Sequence, residues 1–193
     1  MTTKERILNE ALTLFAENGY DGTSMEQIAT KVGIKAPSLY KHFKGKEDIL
    51  NTLIDAAEER YEENFGSEKN LGKLPKTREE FVDMSMKKVR FTMKDPMIRK
   101  IRKFLVQEQF RSGRLAEITT RNQNDGVQIV YRKIIGAMMK AGTWKNGDPE
   151  LLSLEITSPV VVLISRVDRQ PEFEKEALKI IEKHVRYFVG LYM

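Results

Sequence analysis

Cysteine is missing from the 193 residues and histidine occurs twice. Disulfides, thiolate metal sites and cysteine nucleophiles are thereby excluded, and two histidines are too few for a histidine-rich centre, so neither metal nor cofactor is expected. Glycine (12) and proline (6) are too sparse for a collagen-like or low-complexity chain, and 40% hydrophobic content argues against disorder. No 18 apolar residues run together, and Met1-Thr2-Thr3-Lys4-Glu5-Arg6 leads into a stretch interrupted by Asn9, Glu10 and Glu17. That is neither a membrane span nor a signal peptide, and a cytoplasmic location is predicted. A Ser/His/Asp constellation, a glycine-rich phosphate loop and a carboxylate pair at catalytic spacing are also lacking, so the chain is not expected to be an enzyme.

Charge is present and unevenly placed. The formal net charge is +5, yet residues 47–68 carry eight acids against Arg60. Lys31 to Lys46 contains five bases and no acid, and residues 87–114 hold ten bases against Asp95 and Glu108. In the second basic stretch Arg99, Lys100, Arg102 and Lys103 alternate with Ile98, Ile101, Phe104 and Leu105. That spacing predicts a solvated amphipathic face, with a phosphate contact or an anionic effector as the other options.

Apolar spacing is helical almost throughout. Ile7, Leu8, Ala11, Leu12 and Phe15 share one face, and Asn18-Gly19 ends the run. Thr23-Ser24 with Glu26 and Gln27 reads as a capped start for a short helix closed by Gly33. A second short helix, Lys35 to Phe43, has Pro37 in its first turn, where a missing N–H costs nothing. A longer helix follows from Lys46 to about Phe65, then a polar loop from Gly66 to Pro75, then helices at about 77–94, 96–111, 115–141, 149–168 and 172–191. Asn122 to Gly126 interrupts the third of these, which is one irregular helix or two. Val160 to Ile164 is β-branched, but with no second strand to pair with it is predicted helical.

Two short helices meeting at Gly33 behind an amphipathic helix suggest a helix-turn-helix, whose second helix enters the DNA major groove. Small residues open that helix, and Ser38, Tyr40, Lys41, His42 and Lys46 supply outward donors. The other option is a solvated basic turn. Ile7-Leu8-Asn9-Glu10-Ala11-Leu12-Thr13-Leu14-Phe15-Ala16-Glu17-Asn18-Gly19-Tyr20, then Thr23-Ser24, Ile28-Ala29, Gly33-Ile34, Ser38-Leu39-Tyr40, His42-Phe43, Lys46-Glu47 and Leu50 resemble, in order and without gaps, the N-terminal domain of TetR-family transcriptional regulators.

The resemblance implies an all-α protein: a three-helix DNA-binding domain at 1–46, and a helical regulatory and dimerisation domain at 47–193 with 47–65 as connecting helix. It implies a homodimer on a palindromic operator, most often a repressor, released by a small-molecule effector. A DNA-binding architectural or replication-associated protein of the same fold, without effector, is the alternative. Ser38, Tyr40 and His42 match positions that touch the DNA backbone, and Lys46 matches a frequent phosphate contact. Ala36 and Pro37 fall where family members read bases, though Ala36 offers only an apolar contact. Lys35, Lys41 and Glu26 are weaker candidates.

The remaining two thirds match the family only in outline. The wide apolar face of the last helix, with Ala177, Ile181, His184, Val185 and Phe188, joins Val161 and Ile164 as the dimer interface the resemblance implies, with a simple hydrophobic core as the other reading. Phe91, Phe104, Phe110, Tyr131 and Met138 are core candidates first and ligand-pocket candidates second. Trp144, in a loop, packs that loop or borders the pocket. Effector, operator and regulated genes are not readable from these residues.

Overall fold

The computed structural model describes residues 1–66 and 71–193. Part of the expected polar loop, residues 67–70, lies outside the described residues. The elements are α1 (Thr3–Asn18), α2 (Met25–Val32), α3 (Ala36–Tyr40), α4 (Lys46–Phe65), α5 (Arg78–Lys94), α6 (Pro96–Glu108), α7 (Gly113–Thr120), α8 (Gly126–Lys140), α9 (Pro149–Arg169) and α10 (Glu174–Tyr192). Among the described residues there is no strand, and no helix is long and apolar enough to cross a membrane.

Helix boundaries follow local chemistry. Thr2 and Glu5 form a reciprocal capping box on α1, as Ser24 and Gln27 do on α2, each satisfying two otherwise orphaned N–H groups. Gly33 ends α2 at φ 77°, ψ 34°, a left-handed position whose N–H returns to Ala29 and Thr30. The segment expected at 115–141 is α7 and α8 joined by a π-helical turn, Arg121–Asp125, at the polar residues that interrupt its pattern. Val160 to Ile164 is helical, within α9. Pro159 lies inside α9 and cannot donate to Glu155. In the same turn Nε2 of His184 donates to the Ile156 carbonyl at 3.2 Å.

Packing divides the chain into two compact units, Met1–Arg60 with Pro96–Thr119, and Tyr61–Asp95 with Thr120–Met193. The boundary expected at Lys46 falls inside the first of these units, which also takes in most of α4 and all of α6. The first packs α1, α2 and α3 around Ile7, Phe15, Ile28 and Leu39, all buried, with α6 laid against α1. Phe104 of α6 meets Phe15 at 5.7 Å between ring centroids. The second unit packs α8 on α9, and α10 on α5 and α9, around Phe81, Ile134, Met138, Ile156, Ile181 and Phe188.

Candidate nucleic-acid interface

In α3 one residue is held inward and the rest are presented outward. Leu39 is fully buried and Phe43, just beyond the helix, nearly so. These anchors fix the orientation of a five-residue helix too short to persist alone. Lys35, Pro37, Tyr40, Lys41 and His42 are exposed, and Ala36 and Ser38 are half-buried. Lys35 precedes the helix as its N-cap residue without a side-chain cap, so N–H groups of the first turn lack that partner. Seven of the eight candidate DNA contacts therefore lie on or beside α3 with side chains in or near solvent.

Lys46 differs. Its amine donates to the carbonyls of Tyr20 at 2.6 Å and Thr23 at 2.8 Å, and lies 4.4 Å from the centroid of the Tyr20 ring. It clamps the turn between α1 and α2 to the start of α4. Burial, and then the Glu47 carboxylate, raise the Tyr20 phenol above its usual pKa.

Sequence reasoning missed a second set of tethers on the same turn. Glu108, at the end of α6, is buried, and its Oε1 accepts from the Tyr20 N–H at 3.4 Å. The backbone angle at Gly19 (φ 75°) favours glycine, and a Cβ there would lie 2.8 Å from that oxygen and displace the carboxylate. Arg111 bridges Asp21 at 2.6 Å and Glu108 at 2.9 Å. Arg114 reaches Glu47 at 2.6 Å and also Asn51, and Lys100 donates to Thr13 Oγ1 at 2.9 Å. Arg111 and Lys100 thus hold α6 and the turn after it to the α1–α2 segment, Arg114 holds α7 to the start of α4, and of the four bases expected on a solvated face Lys100 is tied to α1. One signal was available: Glu108, three residues before Arg111, is one of two acids in that stretch.

Residues 7–59 match the family described as "Bacterial regulatory proteins, tetR family". The N-terminal segment of this chain is a TetR-family one. Over 51 residues it is 52% identical to IcaR of Staphylococcus aureus strain Newman, the negative transcriptional regulator of the biofilm operon icaADBC. Over 52 residues it is 44% identical to IcaR of Staphylococcus epidermidis. These matches take in 26% and 27% of this chain, and span only 27% and 28% of those relatives. The fold extends further than the sequence likeness. A structure of SmeT with triclosan superposes with a TM-score of 0.78, covering 100% of this chain and 92% of that one at 18% identity. A TetR-family transcriptional regulator from Pseudomonas syringae pv. tomato DC3000 gives 0.72, with coverage of 100% and 98% at 20% identity.

Beyond the TetR-like segment, the pocket candidates fall in both units. Phe91, Tyr131, Met138 and Trp144 belong to the second unit and Phe104 and Phe110 to the first. Phe104 is spent on the contact with Phe15, and Phe110 stands 92% exposed in the turn after α6, where it lines no enclosed site. Met138 is core. Trp144 is buried and stacks on Tyr192 at 6.1 Å, with Phe81 and Phe188 against it; its Nε1 has no hydrogen-bond partner among the described residues. Tyr131 is wholly buried, and burial pushes its phenol up to about 12.

Most of the expected dimer residues are buried within the single chain, as the other reading of that face has it. Ile164, Ala177, Ile181, Val185 and Phe188 all belong to the core of the single chain, with no surface left for a partner. Val161 and His184 are half-buried. The apolar face of α10 is wide because it serves two sides. Ile180, Tyr187 and Leu191 form a separate exposed stripe, and Leu151, Leu154 and Val162 form another on α9. Their spacing of three, four, seven, eight and eleven residues puts each set on one helix face.

Proposed function

We propose that the chain is a dimeric transcriptional repressor that binds a two-fold symmetric DNA operator through α3 and is released from it by a small molecule bound in the second unit. The observation that carries this reading is the TetR-family match over residues 7–59, joined to an α3 whose single buried side chain leaves the DNA-facing set free. IcaR is a negative regulator, and SmeT has been seen with triclosan; both facts belong to those proteins and favour repression and effector binding here. Lys35, Ala36, Pro37, Ser38, Tyr40, Lys41 and His42 meet the DNA. Lys46 holds the turn that supports them and can bring only its remaining N–H to a phosphate.

The exposed apolar stripes of α9 and α10 support dimerisation through these helices. Val162 is 66% exposed, Leu151 63% and Tyr187 70%, an apolar surface that soluble monomers seldom display. Release requires that the effector bind the DNA-incompetent state more tightly, and reciprocally that operator weaken effector binding by the same factor. Titrating a bound ligand into the protein with and without operator tests this. Unequal affinities are expected; equal ones would exclude release by that ligand.

A further inference from the structure

Among the described residues Lys88, on α5, is the one buried cation, with 6% of its surface exposed. Its amine donates to the carbonyl of Phe65 at 2.5 Å and to that of Asn64 at 3.4 Å, and lies 4.8 Å from the centroid of the Phe65 ring. These carbonyls end α4, where a helix leaves acceptors unsatisfied and carries partial negative charge. The last turn of α4 has no base of its own. Lys88 therefore caps α4 from a neighbouring helix.

Capping alone does not account for the surroundings. Tyr61, Phe65 and Phe91 form a mutual ring cluster with centroids 5.5, 5.9 and 6.2 Å apart. An ammonium buried against one ring of this cluster is poorly compensated by neutral carbonyls, since a buried charge is stabilised chiefly by an opposite one. Burial, and then the charge of Lys87, push the Lys88 amine down to about 8. One turn earlier on α5, where residues i and i+3 are neighbours, Ser85 is buried and its Oγ lacks an aligned hydrogen-bond partner among the described residues. The Tyr131 hydroxyl lies beside it. A buried cation against an aromatic cluster, with the Ser85 hydroxyl one turn back on the same helix, suits an anionic headgroup on an apolar body.

We propose that Lys88 is the counter-ion for an effector with an anionic headgroup and a ring-bearing apolar body, and that this headgroup competes with the end of α4 for the ammonium. The inference rests on the effector reading above and gives it a chemical class. Binding would free the carbonyls of Asn64 and Phe65 and so loosen the last turn of α4, the helix whose first residue clamps the DNA-binding segment.

The test compares three probes with one body, 4-phenylbutyrate, 4-phenylbutan-1-ol and 4-phenylbutylamine, by calorimetric titration into the full chain at pH 7. The acid is expected to bind about ten-fold or more tighter than the alcohol, the worth of one charge-assisted contact, with the amine weakest. Lys88→Met should erase the preference for acid over alcohol, and Lys88→Arg should retain it. Failure of the acid to bind, equal binding of acid and alcohol, or a preference that survives in Lys88→Met would overturn the assignment. The comparison within the wild type stands even if the Met variant does not fold. Loss of the headgroup preference leaves the repressor reading intact. A preference with unchanged operator affinity keeps the Lys88 site and overturns effector release.

Discussion

Lys41 and Lys46 show how two lysines from one basic run come to do different work. Lys41 is exposed beside α3, whereas the Lys46 amine is held by two carbonyls and a ring. Lys41→Ala should weaken binding to every DNA sequence and lower the salt slope by about 1 per protomer, without changing the urea midpoint. Lys46→Met should instead lower stability by about 1–3 kcal/mol, because two carbonyls lose their donor, and should impair DNA binding through the displaced turn. Salt titrations and urea unfolding of both variants separate the two effects; identical behaviour would contradict the assignment. Lys88 makes a further prediction. Its amine titrates near 8 when folded and near 10.5 when unfolded, so between those values the unfolded chain binds more protons. Its contribution to stability therefore rises with pH across that window and is flat below about pH 8. The stability difference between wild type and Lys88→Met, followed from pH 7 to 10.5, should drift in favour of the wild type; a constant difference would contradict it.

At the scale of elements, helix identity was legible and helix facing was only half so. Capping residues, Gly33 and the prolines mark where α1, α2, α3 and α9 begin or end, because those residues act on their own backbone. The helix-turn-helix candidates were legible for the same reason: Leu39 and Phe43 face inward at i, i+4 spacing and leave the others outward. What faces α10 is a tertiary fact. Periodicity shows that Ile180, Ile181, Tyr187 and Phe188 are apolar, but not which of them meets the chain's own core and which is left for a partner. Long-range tethers such as Glu108 to Tyr20 and Lys88 to Phe65 join residues 88 and 23 positions apart and have no local signature. The resulting prediction concerns paired substitutions. Ile181→Glu and Phe188→Glu each put a charge into a sealed core and should unfold the chain, while Phe188→Ala should cost about 3–5 kcal/mol. Tyr187→Glu with Val162→Glu should leave a folded monomer with native circular dichroism, seen by sedimentation. A folded monomer from Ile181→Glu would reverse the account of the α10 faces.

For the whole molecule, two half-sites bound together gain an effective concentration that one cannot, so dimerisation and operator recognition stand or fall together. α4 carries the Lys46 clamp at its first residue and the Lys88 cap at its last. The central claim is that this chain reads DNA as a dimer through α3, and selection of bound fragments from the source genome with the purified full chain tests it most directly. The account predicts enrichment of a short inverted repeat, lost with Tyr40→Ala combined with Lys41→Ala and lost again with the Tyr187→Glu, Val162→Glu monomer. Enrichment of no sequence over random fragments, or of the same sequences by both variants, would contradict it.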